Sequence, residues 1–186
     1  LYMITKAEER GELTKDRMIL EATSGNTGIA IAMIGAAKGY SVELCMPACV
    51  STERRLILQG LGSNVFLTPA KENIDGAIRQ ALTLLHDEPK KYYMPNQYEN
   101  PDNVLAHFET TGPEIFRQTG GEIDYFVAGM GTTGTLMGTG RYLKSVKPGV
   151  KIVGVEPVMG HTIQGLKNMR ESMVPPIYNR DELDLK

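Results

Sequence analysis

Two short glycine–hydroxyl segments carry the residue types of an anion site. They are Thr23-Ser24-Gly25-Asn26-Thr27-Gly28 and Gly129-Met130-Gly131-Thr132-Thr133-Gly134-Thr135. Each stands between a β-like run and a helix-like run. Glycine lets backbone N–H groups turn toward a ligand, small hydroxyls add donors, and the start of the following helix carries positive dipole charge. Two such segments suggest a ligand set with two anionic groups, such as a phosphate and a carboxylate.

The second segment also fits a different chemistry. Gly129-x-Gly131-x-x-Gly134 follows a strand-like run and opens a helix-like one, and Glu156 ends the next apolar run, as in a dinucleotide-binding unit. An NAD-binding Rossmann domain is therefore an alternative. Three features favour a monophosphate cup instead. Thr132, Thr133 and Thr135 supply hydroxyls suited to a terminal phosphate. The dinucleotide reading leaves the first segment and Asn96-Gln97 without a task, and its unit falls late in the chain.

Other chemistry-bearing residues are sparse. Cys45 and Cys49 are the only cysteines and the chain has 3 histidines. No zinc site is expected from that set, and the cysteines read as free thiols. His86 and His107 read as a solvated and a packing or capping residue, and His161 as a loop residue. The net charge of −2 leaves no electrostatic footprint for nucleic acid or a membrane surface. No apolar run approaches the roughly 18 residues of a membrane span, and no signal peptide is visible. A cytoplasmic protein is expected.

The elements that would position the two segments follow from periodicity. Met18–Ala22, 42–46, Asn64–Thr68, 92–94, 124–128 and 151–156 read as strands. Helices are expected over 1–10, from Ile29 to Lys38, from Ser51 to about Leu61 with Ser51 as cap, from Asn73 or Asp75 onward, and from Leu136 to Val146. Another helical stretch spans Leu105 to Phe116, with a break or kink at Gly112-Pro113. Alternating strand and helix signifies an α/β fold with parallel sheets flanked by helices. A composition shift over Pro95–Asn103 divides the chain into two lobes, 1–100 and 101–186. Both glycine segments lie at strand carboxyl ends, where α/β sheets bind ligands and where the two could face one cleft.

Taken together, these residues resemble a known family. Thr-Ser-Gly-Asn-Thr-Gly, Glu53-Arg54-Arg55, Asn96-Gln97-Tyr98-x-Asn100-Pro101, Thr110-Thr111-Gly112-Pro113-Glu114-Ile115, Gly131-Thr132-Thr133-Gly134-Thr135 and Gly154-Val155-Glu156-Pro157 occur in the order seen in cysteine synthases and cystathionine β-synthases. The resemblance implies the tryptophan synthase β-like fold of pyridoxal 5'-phosphate (PLP) enzymes. It also implies replacement of the β-substituent of an O-activated serine (O-acetylserine or O-phosphoserine) by sulfide or a thiol. Alternatives are cystathionine synthesis and a non-catalytic binding protein of the same fold. Homodimers are common in the family.

Site roles follow from the resemblance by position. Thr23, Ser24, Gly25, Asn26 and Thr27 would grip a substrate carboxylate, Asn26 also meeting the cofactor's phenolic oxygen, with Gln97 assisting. Gly131, Thr132, Thr133, Gly134 and Thr135 would cup the cofactor phosphate, and Gly154 would lie near its ring. The usual cup has glycine where this chain has Thr133. Lys167, with Arg170, would admit an acidic leaving group, the alternative being an exposed basic pair. The family's Schiff-base lysine lies in a segment like Ser-Val-Lys-Asp-Arg, expected upstream of Leu1. Lys15-Asp16-Arg17 is similar but falls after the first helix, so Lys15 reads as a surface residue. The chain is thus expected to be a central portion of the enzyme, inactive on its own.

Overall fold

In the computed structural model, which describes residues 1–186, the expected strands pair in parallel within two compact units, Met3–Asn96 and Gln97–Lys186. The first unit runs α1 (Tyr2–Glu9), β1 (Met18–Ala22), α2 (Asn26–Lys38), β2 (Val42–Pro47), α3 (Thr52–Gly60), β3 (Asn64–Thr68), α4 (Asn73–Asp87) and β4 (Tyr92–Tyr93). Its four strands form a parallel sheet in the order β3-β2-β1-β4. Ile19, Val42, Leu44 and Met46 bury one face against Ala7 of α1, Ile31 of α2 and Leu58 of α3. The alternate residues Leu20, Ala22 and Cys45 are buried as well. Helix α4, with Ala77, Ile78 and Ala81 inward, packs on β1 and β2. A sheet covered on both faces needs continuous apolar strands, which is why Leu44-Cys45-Met46 shows no alternation. Burying a side chain such as Leu44 contributes roughly 1.5–3 kcal/mol.

Helix α2 can press onto this sheet because Gly28 lacks a side chain. A Cβ there would come within 2.5 Å of Thr23 Cγ2 and 3.3 Å of Leu44 Cδ1. The helix begins at Asn26, not Ile29 as the apolar pattern suggested, because Asn26-Thr27-Gly28 is polar yet helical. Its first turn is therefore part of the anion segment, although the Gly28 N–H there already donates to Gly25 O at 3.0 Å. Ser51 caps α3 as expected, its Oγ accepting from the Arg54 N–H at 3.5 Å.

The second unit runs α5 (Pro101–Ala106), a π-turn (His107–Thr111), α6 (Gly112–Gln118), β5 (Tyr125–Gly129), α7 (Gly134–Val146) and β6 (Lys151–Val155). Asn100 caps α5, its side chain accepting from the Asp102 N–H at 2.9 Å, with Pro101 in the first turn. The break expected at Gly112-Pro113 is instead a widened helical turn immediately before it. Pro113 has no N–H to donate and its ring crowds the carbonyl one turn back, so the chain accommodates it in π geometry. Strands β5 and β6 pair in parallel, Gly129 opposite Val155. Met130, Leu136, Leu143, Ile152 and Leu183 form the core. Helix α7 starts at Gly134, two residues earlier than Leu136, for the same reason as α2. Asp184 ties the chain end to β6. It accepts the Ile152 N–H at 2.8 Å and pairs with Lys144 at 2.9 Å and Lys151 at 3.2 Å. These bonds, the backbone one foremost, hold its carboxyl well below the usual range. No helix is long and apolar enough to cross a membrane.

Candidate active site

Strand β1 ends at Ala22 and delivers Thr23 into a buried position. The Thr23 N–H donates to Cys45 O at 3.0 Å, and its Oγ1 accepts from the Gly25 N–H at 3.2 Å. Ser24 and Thr27 are half-buried, and Asn26 is exposed at the head of α2. The carbonyl of Ser24 is held by Arg54, whose Nη1 donates to it at 2.7 Å. The place of Arg54 in the first turn of α3, behind the Ser51 cap, is what turns it toward the loop. Bond orientation in this loop is therefore set by a threonine hydroxyl and a guanidinium, leaving the α2 first turn to face a ligand. Glu21, fully buried beside this loop with Oε1 accepting the Ala22 N–H at 2.9 Å, was read only as a strand residue.

The second segment leaves β5 at Gly129 and enters α7 at Gly134. Thr132 Oγ1 accepts from the Gly134 N–H at 3.4 Å. Thr133 sits at φ 70°, in left-handed geometry that β-branched residues rarely adopt. It is 3% exposed, and its Oγ1 has no hydrogen-bond partner within the chain. A buried, unpaired hydroxyl in strained backbone at a helix start marks a ligand-holding position. Together with the first-turn N–H groups of α7 and the exposed Thr135, it suits a phosphate monoester, and the residues present fit that group.

Asn103 joins two residues that the sequence assigned to different ligands. Its Nδ2 donates to Gln97 O at 2.7 Å and to Thr132 Oγ1 at 3.2 Å. No sequence reading singled out Asn103. The one available signal was an amide within the first turn after the Asn100-Pro101 cap. Gly154 has no room for a side chain, since a Cβ there would lie 2.9 Å from both Met130 Sδ and Leu183 Cδ1. Lys167 is not an exposed cation. It is 2% exposed, with Nζ donating to Met173 O at 3.2 Å and 5.2 Å above the Tyr98 ring, while Arg170 is exposed. His161 is held locally, its Nδ1 accepting from the Ile163 N–H at 3.1 Å. Lys15 donates to Lys38 O at 2.6 Å and lies 4.0 Å above the Tyr40 ring, so its ammonium is engaged on the surface of the first unit. Burial, with help from Glu43 and Glu21, pushes the Cys45 thiol up to about 12, whereas Cys49 is exposed.

Glu156 closes the dinucleotide alternative. Its Oε2 accepts the Met169 N–H at 3.0 Å and its Oε1 pairs with Lys186 at 3.0 Å, so the carboxylate that would hold a ribose is occupied with the chain's own loop.

Comparison with known proteins identifies the family. Residues 1–180 match the family described as pyridoxal-phosphate dependent enzyme, and the chain belongs to that family. Within it, the similarity is to cysteine synthases. The chain is 48% identical over 185 residues to the cysteine synthase of Aquifex aeolicus, covering 99% of this chain and 57% of that protein. It is 44% identical over 184 residues to cysteine synthase B of Salmonella typhimurium, covering 99% and 60%. Among solved structures, cysteine synthase from Entamoeba histolytica superposes with a TM-score of 0.86 at 37% identity, covering 99% of this chain and 56% of that one. A hydrogen sulfide-producing enzyme from Fusobacterium nucleatum gives 0.91 at 36% identity, covering 99% and 64%. The chain thus spans less than two thirds of the length of these relatives.

Proposed function

We propose that the protein makes L-cysteine by PLP-dependent β-replacement, exchanging the O-linked substituent of an activated serine for sulfide or a thiol. The observation that carries this reading is the Gly131–Thr135 cup, with its strained Thr133 and unpaired buried hydroxyl. Similarity to proteins named cysteine synthase supports the choice of reaction. The protein is proposed to act in the cytoplasm as a homodimer.

In this reading Gly131, Thr132, Thr133, Gly134 and Thr135 hold the phosphate, and the Gly154 backbone lies near the ring, its missing side chain letting Met130 and Leu183 pack against it. When bound, PLP supplies the electron-withdrawing ring that makes loss of an α-proton and a β-substituent feasible. The chain's own residues bind and orient. The first-turn N–H groups of α2, with Thr23, Ser24, Gly25, Asn26 and Thr27, take the substrate carboxylate. Gln97 assists, with Asn103 fixing its backbone and Thr132 together. Lys167, buried with its Nζ donating to Met173 O at 3.2 Å, is proposed to favour an acidic leaving group. The O-acetylserine and O-phosphoserine rates of the purified full-length protein with sulfide test the reading. Cysteine formation that requires added PLP is expected, and Lys167→Ala should reduce the O-phosphoserine rate selectively. A protein that binds PLP yet forms no cysteine from either donor overturns it.

A further inference from the structure

The His107 imidazole lies between two hydroxyls. Its Nε2 is 3.1 Å from Thr135 Oγ1, and its Nδ1 is 2.8 Å from Thr111 Oγ1. The π-turn makes this possible by placing Thr111 beside the residue that starts the turn. The turn in turn sits close against α7 because Gly138 has no side chain. A Cβ there would lie 2.1 Å from Val104 O and 2.8 Å from His107 Cβ. His107 is thereby held over the first turn of α7, directly behind the cup.

We infer that His107 is a positioning residue for the phosphate cup, its Nε2–H donating to Thr135 Oγ1 so that the Thr135 hydroxyl keeps its own proton for the phosphate. Burial lowers the pKa of this histidine, so near neutral pH the ring carries one N–H. Two arrangements then exist. With the proton on Nδ1, Thr111 accepts it and Thr135 must spend its hydroxyl proton on Nε2, presenting only lone pairs to an anion. With the proton on Nε2, Thr111 donates to Nδ1, Nε2–H donates to Thr135, and Thr135 donates outward. Only the second chain, Thr111 to His107 to Thr135 to phosphate, is compatible with an anion in the cup. Phosphate binding therefore selects the tautomer, and the tautomer prepares the cup. This rests on the phosphate reading of the Gly131–Thr135 segment.

The test is a double-substitution cycle in the full-length protein, read as PLP affinity by titration, with imidazole 15N shifts as a second readout. Thr135→Val should weaken PLP binding about tenfold, the loss of one charge-assisted bond. His107→Leu should weaken it severalfold in the unsubstituted background and leave the Thr135→Val protein unchanged. His107→Gln, whose amide N–H can replace Nε2–H, should retain more affinity than His107→Leu. The 15N spectrum of the PLP-bound, unsubstituted protein should report Nε2–H, a measurement independent of whether any variant folds. Additive losses in the cycle, or an Nδ1–H tautomer in the bound protein, overturn the relay while the cup stands. Failure of the unsubstituted protein to bind PLP overturns the cup and the relay with it.

Discussion

Replacing Thr133 by glycine should raise the stability of the PLP-free protein and lower its affinity for PLP. A β-branched residue at φ 70° stores about 1–3 kcal/mol of backbone strain. Its buried, unpaired hydroxyl adds about 1–3 kcal/mol of desolvation. Glycine removes both and gives back about 0.5–1 kcal/mol through the greater freedom of the unfolded chain. A net gain of about 1–5 kcal/mol is expected, which raises Tm by roughly 2–20 °C for a chain of 186 residues. In the proposed PLP complex the same hydroxyl would donate to the phosphate, a bond of about 1.5–3 kcal/mol, so Thr133→Gly should weaken binding roughly tenfold to a hundredfold. Saturating PLP should therefore narrow or reverse the order of melting temperatures. Thr133→Ala separates the causes, because it keeps a Cβ in the left-handed backbone while the hydroxyl is lost together with the γ-methyl. It should weaken binding as much as glycine does while gaining less stability. Thermal melts with and without PLP, alongside PLP titrations, provide the readout. A glycine variant that melts lower than the parent, or that binds PLP with undiminished affinity, would refute the reasoning.

Three further outcomes are expected. Arg54→Met removes the guanidinium that holds Ser24 O. It should raise KM for the amino-acid substrate about tenfold, the loss of one charge-assisted bond, and leave PLP affinity unchanged; a matching loss in PLP affinity would contradict the assignment. With a thiol reagent near pH 8, the folded protein should titrate one cysteine, Cys49, and the denatured protein two, because burial protonates Cys45 throughout that range; fast modification of both in the folded state counts against it. His107 makes stability pH-dependent in a definite direction. Its folded pKa is lowered by burial, so below the unfolded value of about 6.5 the unfolded chain gains a proton that the folded one refuses, and stability falls with falling pH. His107→Gln should close that gap in acid melts, and a pH-independent difference between the two proteins would exclude the cause.

Much of this was legible in the amino-acid sequence because it is written in local patterns. The strands Met18–Ala22 and Asn64–Thr68 and the Ser51 cap follow from apolar runs and cap chemistry that depend on neighbouring residues alone. The two anion segments were visible for the same reason. Helix starts were misplaced where first turns are polar, as at Asn26-Thr27-Gly28, since periodicity registers only apolar residues. What remained hidden depends on contacts between distant residues. Arg54 reaches Ser24 across 30 positions, and His107 meets Thr135 across 28. Lys167 shows the converse. An exposed basic pair was one of its two readings, and packing against Tyr98 and Met173 O buries it.

The central claim is that the Gly131–Thr135 cup holds the phosphate of PLP. The most direct measurement is the 31P spectrum of PLP titrated into the purified protein, repeated for the Thr132→Val and Thr135→Val proteins. A distinct bound phosphate signal in the parent, shifted and weakened in both variants, is the predicted result. A protein that leaves the PLP signal as in free solution, or a bound signal identical in all three proteins, would contradict it.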